Sequence, residues 1–203
     1  MKLYDFPLSG HAHRARAMLS LLSVDADIHV MDLANGEHKT PEFLKINPLG
    51  QVPTLTDGEV NLRDSTAILT YLALKYDQSR TWLPTDPALA AEVQSWLSVS
   101  VHEVFDGPCV TRLIKLFNYD SDHAKAVEKA HAVFTQLFEP HLAKQDWLVG
   151  DAPTIADIAN YSYIARVNEG EVSLDNYPNI RAWLERVEGI EGFEPMPHAS
   201  DFA

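Results

Sequence analysis

The chain has 203 residues, 46% of them hydrophobic and 22% charged, with a formal net charge of −13, the profile of a globular chain able to bury a sizeable core. So acidic a balance excludes the basic face that nucleic-acid phosphates or an anionic membrane surface would require. A single cysteine, Cys109, excludes an internal disulfide, and no apolar run approaches the ~18 residues of a membrane span.

The acidity is uneven. Residues 1–79 carry a net −3 and residues 80–203 a net −10, so a site for an anion is expected in the N-terminal part. The start, MKLYDFPLSG, lacks the apolar stretch of a signal peptide. The expected location is cytoplasmic.

In chain order, a strand at 2–6 runs into Pro7-Leu8-Ser9-Gly10-His11 and then a helix at 11–22 built from good helix formers. Ser9 and His11 stand at the mouth of that helix, where unpaired N–H groups attract negative charge. They either cap the helix or hold an anion. A second strand at 27–31 alternates with period two, and Thr40-Pro41-Glu42 opens a short helix with a Thr cap and Pro at its first position. Pro53–Thr56 and Val60–Leu62 flank Asp57-Gly58-Glu59, a hairpin signal. Asp64 then caps a helix with Ile68, Leu72 and Tyr76 at four-residue spacing. The order strand-helix-strand-helix-strand-strand-helix predicts a mixed four-stranded sheet with helices packed on it.

Strand signals stop after Tyr76. Residues 79–87 are polar and proline-bearing and read as a linker. Beyond it the pattern is helical: a long element through Leu89, Trp96 and Phe105 that Gly107-Pro108 must kink or break, then helices near 121–143, 155–167 and 178–187. The expected division is an α/β domain at 1–78, a linker at 79–87 and an all-α helical bundle at 88–203.

Three motifs stand out. In Gly50-Gln51-Val52-Pro53-Thr54-Leu55, a proline at the first residue of a strand suits an edge strand, or a cis bond that would turn the Val52 backbone toward an added peptide. Asp64-Ser65 offers a carboxylate to an ammonium and first-turn N–H groups with a hydroxyl to a carboxylate, the two ends of an α-amino acid, or it is an N-cap alone. Thr154-Ile155-Ala156-Asp157 has the spacing of a reciprocal cap and is assigned no chemistry. His11 and His13, two apart on a helix, diverge by about 200° and cannot chelate one ion, and no other histidine spacing suggests a metal site. Cys109, beside Pro108 in a helical region, reads as a buried inert thiol.

Taken together, Ser9 before the first helix, Thr-Pro-Glu-Phe-Leu-Lys-Ile-Asn-Pro at 40–48, Gly-Gln-Val-Pro-Thr-Leu at 50–55, Asp64-Ser65 with its helix, and Thr154-Ile-Ala-Asp157 closely resemble a bacterial cytosolic glutathione transferase over about residues 1–195. The resemblance implies a thioredoxin-like N-terminal domain (βαβαββα) joined to an all-helical domain, usually as a homodimer. It implies glutathione as co-substrate, with no permanently bound cofactor and no metal. By position, Val52 beside a cis Pro53 would pair with the cysteinyl residue of glutathione, and Asp64 and Ser65 would hold the γ-glutamyl group. Gln51 with His38 or Lys39 would meet the glycyl end. Ser9, with the N–H groups of Gly10 and His11, would stabilise the thiolate, without a general base. Asp64 stands where Glu is commoner, and His11 where related bacterial members often have Asn; by the same resemblance His11 is, with Ser9, a catalytic candidate, its side chain either donating to the thiolate or lining the site. An electrophile pocket is expected between the domains near Leu8, His11, His102, Phe105 and Arg112. The expected activity is attack of the glutathione thiol on a small hydrophobic electrophile. Alternatives are a glutathione-dependent disulfide or peroxide reductase on the same scaffold, or a non-catalytic binding module.

Overall fold

The computed structural model describes residues 1–202. Its first half contains β1 (Lys2–Asp5), α1 (Gly10–Leu21), β2 (Asp27–Val30), α2 (Pro41–Ile46), β3 (Thr54–Asp57), β4 (Val60–Leu62) and α3 (Ser65–Tyr76). The strands form one sheet in the order β2-β1-β3-β4, with β1 parallel to β2 and antiparallel to β3. A right-handed crossover through α1 is the ordinary way to bring β1 and β2 parallel. Gly58, at φ +60, makes the two-residue turn that joins β3 to β4 in the register Asp57 to Val60. Leu3 faces Leu55 across β1 and β3, and both are fully buried. β2 forms where the period-two alternation places it, at Asp27–Val30. β2 is the outer strand, and both of its apolar side chains, Ile28 and Val30, lie exposed.

The second half is helical, with α4 (Pro87–Val101), α5 (Val110–Phe117), α6 (His123–Val133), α7 (Glu139–Leu142), α8 (Ile155–Ala165) and α9 (Pro178–Glu188). Asp86 caps α4 through Ala88 and Leu89 N–H, with Pro87 at the first position. The break in the long element falls at 102–104, ahead of Gly107, and Pro108 sits in a widened π turn, Phe105–Cys109, that runs into α5. The helix expected at 121–143 is likewise two helices around a π turn, Phe134–Phe138, with Pro140 just beyond it. Proline lacks an N–H and crowds the preceding turn, and a widened turn absorbs both effects without ending the helix.

α8 joins the two halves. It packs against α1, α3, α4 and α9, and all its residues from Ile155 to Ile164 are buried. Its N-terminus carries the reciprocal cap expected of Thr154 and Asp157. The structure gives Asp157 more than that: its carboxylate also accepts the Leu148 N–H at 3.0 Å and the Trp183 Nε1–H at 2.9 Å. One carboxylate thus satisfies donors from a loop, a helix end and α9. Burial raises its pKa above the usual range despite these bonds.

Candidate active site

The loop between β1 and α1 is clamped from three sides. Ser9 N–H donates to the Phe6 carbonyl at 2.9 Å, and Ser9 Oγ accepts the Ala12 N–H at 3.2 Å, capping α1. Arg16 pairs with the buried Asp5 and donates to the Pro7 carbonyl at 3.0 Å. From the helical half, Arg112 donates to the Leu8 carbonyl at 2.7 Å while its Nε pairs with Glu169. Tyr163 of α8 packs so close that a Cβ on Gly10 would stand 2.7 Å from its ring, and its hydroxyl accepts the His11 N–H at 3.3 Å. Of the two N–H groups expected to face an anion, that of His11 is therefore engaged. Gly10 N–H makes no hydrogen bond among the described residues.

Two cavities of opposite character meet here. The first, of about 360 Å³, is the more polar and is lined by His38, Gly50, Gln51, Val52, Pro53, Arg63, Asp64 and Ser65. The second, of about 260 Å³, is mainly apolar, with Phe6, Leu8, Leu113 and Phe117 among its walls and Ser9, Cys109 and Arg112 contributing. His11, Leu33, Val52 and Phe105 line both.

In the polar cavity the Val52–Pro53 bond is cis. The backbone N–H and C=O of Val52 make no hydrogen bond among the described residues. Asn47 supports the loop, donating to the Gln51 carbonyl at 2.9 Å and to Thr54 Oγ1 at 3.0 Å. Asp64 Oδ1 accepts the Thr66 N–H at 2.8 Å and the Ala67 N–H at 3.0 Å, while Oδ2 has no partner among the described residues. Burial works against Asp64 ionising, but the Thr66 and Ala67 hydrogen bonds outweigh it and hold the carboxyl below its usual range. His38 lines this cavity, and its Nδ1, sealed from solvent, has no partner among the described residues.

Two expectations are corrected, those for Lys39 and His102. Lys39 does not line the polar cavity; its Nζ donates to the Leu49 and Gly50 carbonyls at 3.1 and 2.9 Å, bracing the loop. His102 does not line the apolar one. Because α4 ends at Val101, His102 is exposed and walls a separate groove with Lys129 and Leu137. Arg112 does line the apolar cavity, but as a buried ion pair that holds the Leu8 carbonyl. Arg63, Leu33, Phe117 and Tyr163 escaped the sequence reading. Only Arg63 had a local signal, a basic residue beside Asp64-Ser65 in a strongly acidic chain.

Residues 1–74 match the glutathione S-transferase N-terminal domain and residues 101–191 the C-terminal domain. Glutathione S-transferase 3 of Zea mays is 33% identical over 204 residues, covering 96% of this chain and 91% of that protein. The chain belongs to the glutathione S-transferase family. A crystal structure of a glutathione S-transferase from Xanthobacter autotrophicus superposes with a TM-score of 0.91 at 28% identity, covering 100% of this chain and 99% of that one. A glutathione transferase homologue from Drosophila mojavensis, solved with bound glutathione, gives 0.85 at 27% identity over 94% and 88% of the two chains. This glutathione transferase keeps its one thiol sealed. Burial pushes the Cys109 pKa up to about 12, which disfavours the thiolate a nucleophile needs. Among the described residues no three His, Cys, Asp or Glu side chains gather where a metal could bind, and no helix is long and apolar enough to cross a membrane.

Proposed function

We propose that glutathione lies extended in the polar cavity with its sulfur at the junction of the two cavities, and that its thiolate attacks a small hydrophobic electrophile held in the apolar one. The observation that carries this reading is the pair of cavities of opposite polarity sharing His11 and Val52, with Ser9 beside them. Val52 N–H and C=O pair with the cysteinyl backbone as an added strand would. Asp64 Oδ2 meets the γ-glutamyl ammonium, and the Ser65 hydroxyl with the first-turn N–H groups of α3 meets its carboxylate. Gln51, His38 and Arg63 surround the glycyl carboxylate. Leu8, Phe105 and Phe117 wall the electrophile.

A free thiol is mostly protonated near neutral pH, and each pKa unit by which a site favours the thiolate is worth about 1.4 kcal/mol. The Ser9 O–H, the Gly10 N–H and the N-terminus of α1 supply that preference. The thiol proton leaves to solvent, the sulfur forms the new bond to carbon, and the displaced group departs with its electron pair. The same reading makes the protein a cytoplasmic homodimer acting in detoxification, its two domains divided by the linker at 79–87. Exposed Val60, Leu74 and Val101 supply apolar surface for the partner. Titration calorimetry with glutathione and turnover of a chloronitrobenzene test the proposal. Saturable binding with conjugation exceeding hydroxyethyl disulfide reduction is expected. Absence of saturation at about millimolar glutathione, the weak end of the expected affinity range, overturns it.

A further inference from the structure

Arg14, in α1, is fully buried directly beneath the junction of the two cavities and forms no ion pair among the described residues. Its guanidinium is instead shared among neutral groups. Nη1 lies 2.9 Å from His11 Nδ1 and donates to Ser65 Oγ at 3.0 Å, while Nη2 donates to the Ser100 carbonyl at 3.0 Å. A buried cation with only neutral partners is costly unless an anion compensates it.

The contact with His11 has one chemical reading. A guanidinium has donors and no acceptor, so the 2.9 Å contact is an N–H directed at a lone pair on Nδ1. Turning the ring over would put a C–H against Nη1 and strand that donor. The ring is also held in place, stacked on Phe105 at 6.1 Å and set edge-on to Tyr163 at 5.1 Å. Burial, reinforced by Arg14 and opposed by Asp64, pulls the His11 pKa down to about 3, so the imidazole is neutral at working pH. A neutral ring with an unprotonated Nδ1 carries its proton on Nε2. Nε2 makes no hydrogen bond among the described residues and is not sealed from solvent, and the ring lines both cavities.

We propose that Arg14 is a positioning residue that fixes His11 in the Nε2–H tautomer, and that this N–H is donated to the glutathione sulfur as a second donor beside Ser9. The inference rests on the glutathione reading above and adds to it the donor and the group that orients it. Three consequences follow from the geometry. His11 cannot serve as a base, because its only lone pair faces Arg14. Ser65 accepts from Arg14 at 3.0 Å and lies 3.4 Å from His11 Nδ1, and with Arg14 closer to that lone pair at 2.9 Å the Ser65 proton is left for the γ-glutamyl carboxylate. The Arg14 charge, which acts on the Asp64 carboxylate without pairing to it, also favours an anion bound at the junction.

The tautomer is read directly, on the protein as it stands, from two-bond nitrogen–proton correlations in ¹⁵N-histidine-labelled protein. The expected signature for His11 is neutral and Nε2-protonated throughout the range in which free imidazole titrates. A charged or Nδ1-protonated His11 overturns the proposal whether or not glutathione binds. The donation is read from the thiol pKa of bound glutathione. His11→Phe, which keeps the stacking and removes the donor, is expected to raise it by about one unit and slow conjugation at low pH about tenfold, with a smaller loss for His11→Asn, whose amide can donate. Arg14→Lys, retaining a charge without the fork, is expected to mix the two tautomers in the same spectra. An unchanged thiol pKa in a His11→Phe protein that still binds glutathione overturns the donation. Failure of the unsubstituted protein to bind glutathione instead overturns the earlier reading and leaves the tautomer measurement standing.

Discussion

The Tyr163 hydroxyl accepts the His11 N–H across 152 positions of sequence, and the same ring occupies the space into which a side chain on Gly10 would project. One residue of α8 therefore sets both the distance and the rotation of the N-terminus of α1. Gly10→Ala would drive a methyl to 2.7 Å from a ring that is almost fully buried and has little freedom to retreat. The expected cost is about 1–3 kcal/mol of stability, with a larger proportional loss of kcat/KM because Ser9 and His11 move with the helix start. Urea melts and steady-state kinetics on the same preparation check it. Native stability and native kinetics together would show that the helix can shift without consequence.

His38 and Lys39 are neighbours with opposite assignments. The His38 side chain lines the polar cavity, whereas the Lys39 ammonium is occupied by the Leu49 and Gly50 carbonyls. His38→Ala is therefore expected to raise the KM for glutathione about tenfold at nearly unchanged stability, the loss of one charge-assisted hydrogen bond. Lys39→Met should instead cost about 1 kcal/mol of stability through the loosened loop, with a lesser effect on KM. A KM more sensitive to position 39 than to position 38 would reverse the two roles.

Two histidines with depressed pKa values make stability depend on acid. His13 Nε2 contacts the Glu194 carbonyl and Nδ1 the Ser162 hydroxyl, both at 2.8 Å, an arrangement one neutral tautomer satisfies completely. Burial dominates its pKa, opposed by the Glu194 bond and reinforced by Arg16, Arg166 and Arg14, and brings it to about 3, where His11 also lies. Unfolded imidazoles titrate near 6.5, so between these values the unfolded chain binds protons that the native chain does not. Stability should then be flat above about pH 7 and fall below it, by about 1.4 kcal/mol per pH unit for each histidine. In the window from about pH 6.5 to 5 ordinary carboxylates have yet to titrate, while the raised Asp5 and Asp157 act in the opposite sense and can only make the slope shallower. Urea midpoints across that window should slope about half as steeply in His13→Gln. Equal slopes would place the protons elsewhere.

What was legible in the sequence was what is local. The caps at Ser9, Thr40, Asp64 and Thr154 are all present because a cap needs only a side chain and the next three N–H groups. The hairpin at Asp57-Gly58-Glu59 and the two-part architecture follow from equally short-range patterns. The contacts of Arg14 with Ser65, of Arg112 with Leu8 and of Tyr163 with His11 were not legible, because they span 51 to 152 residues and depend on how α8 and α5 dock on α1. His102 was misplaced for a related reason. Whether it faced the cleft depended on where α4 ended, and a helix interrupted near a proline can end, kink or widen. The widened turn at Phe105–Cys109 leaves Phe105 in the cleft and His102 outside it.

Ser9 does two jobs through different parts of one hydroxyl. Its oxygen accepts the Ala12 N–H, which caps α1, while its proton is uncommitted among the described residues and free to be donated. Ser9→Ala removes both and so cannot tell capping from catalysis. Ser9→Gly can, because glycine at an N-cap costs only a few tenths of a kcal/mol relative to serine, against about 1 for alanine. Ser9→Thr keeps both the oxygen and the proton. The expected pattern is that the Gly and Ala proteins are equally slow in conjugation at low pH, with equally raised thiol pKa values for bound glutathione, while only the Ala protein loses appreciable stability. The Thr protein should retain most of both properties. Recovery of rate in the Gly protein would assign Ser9 to the helix alone and leave the sulfur to the Gly10 N–H and His11.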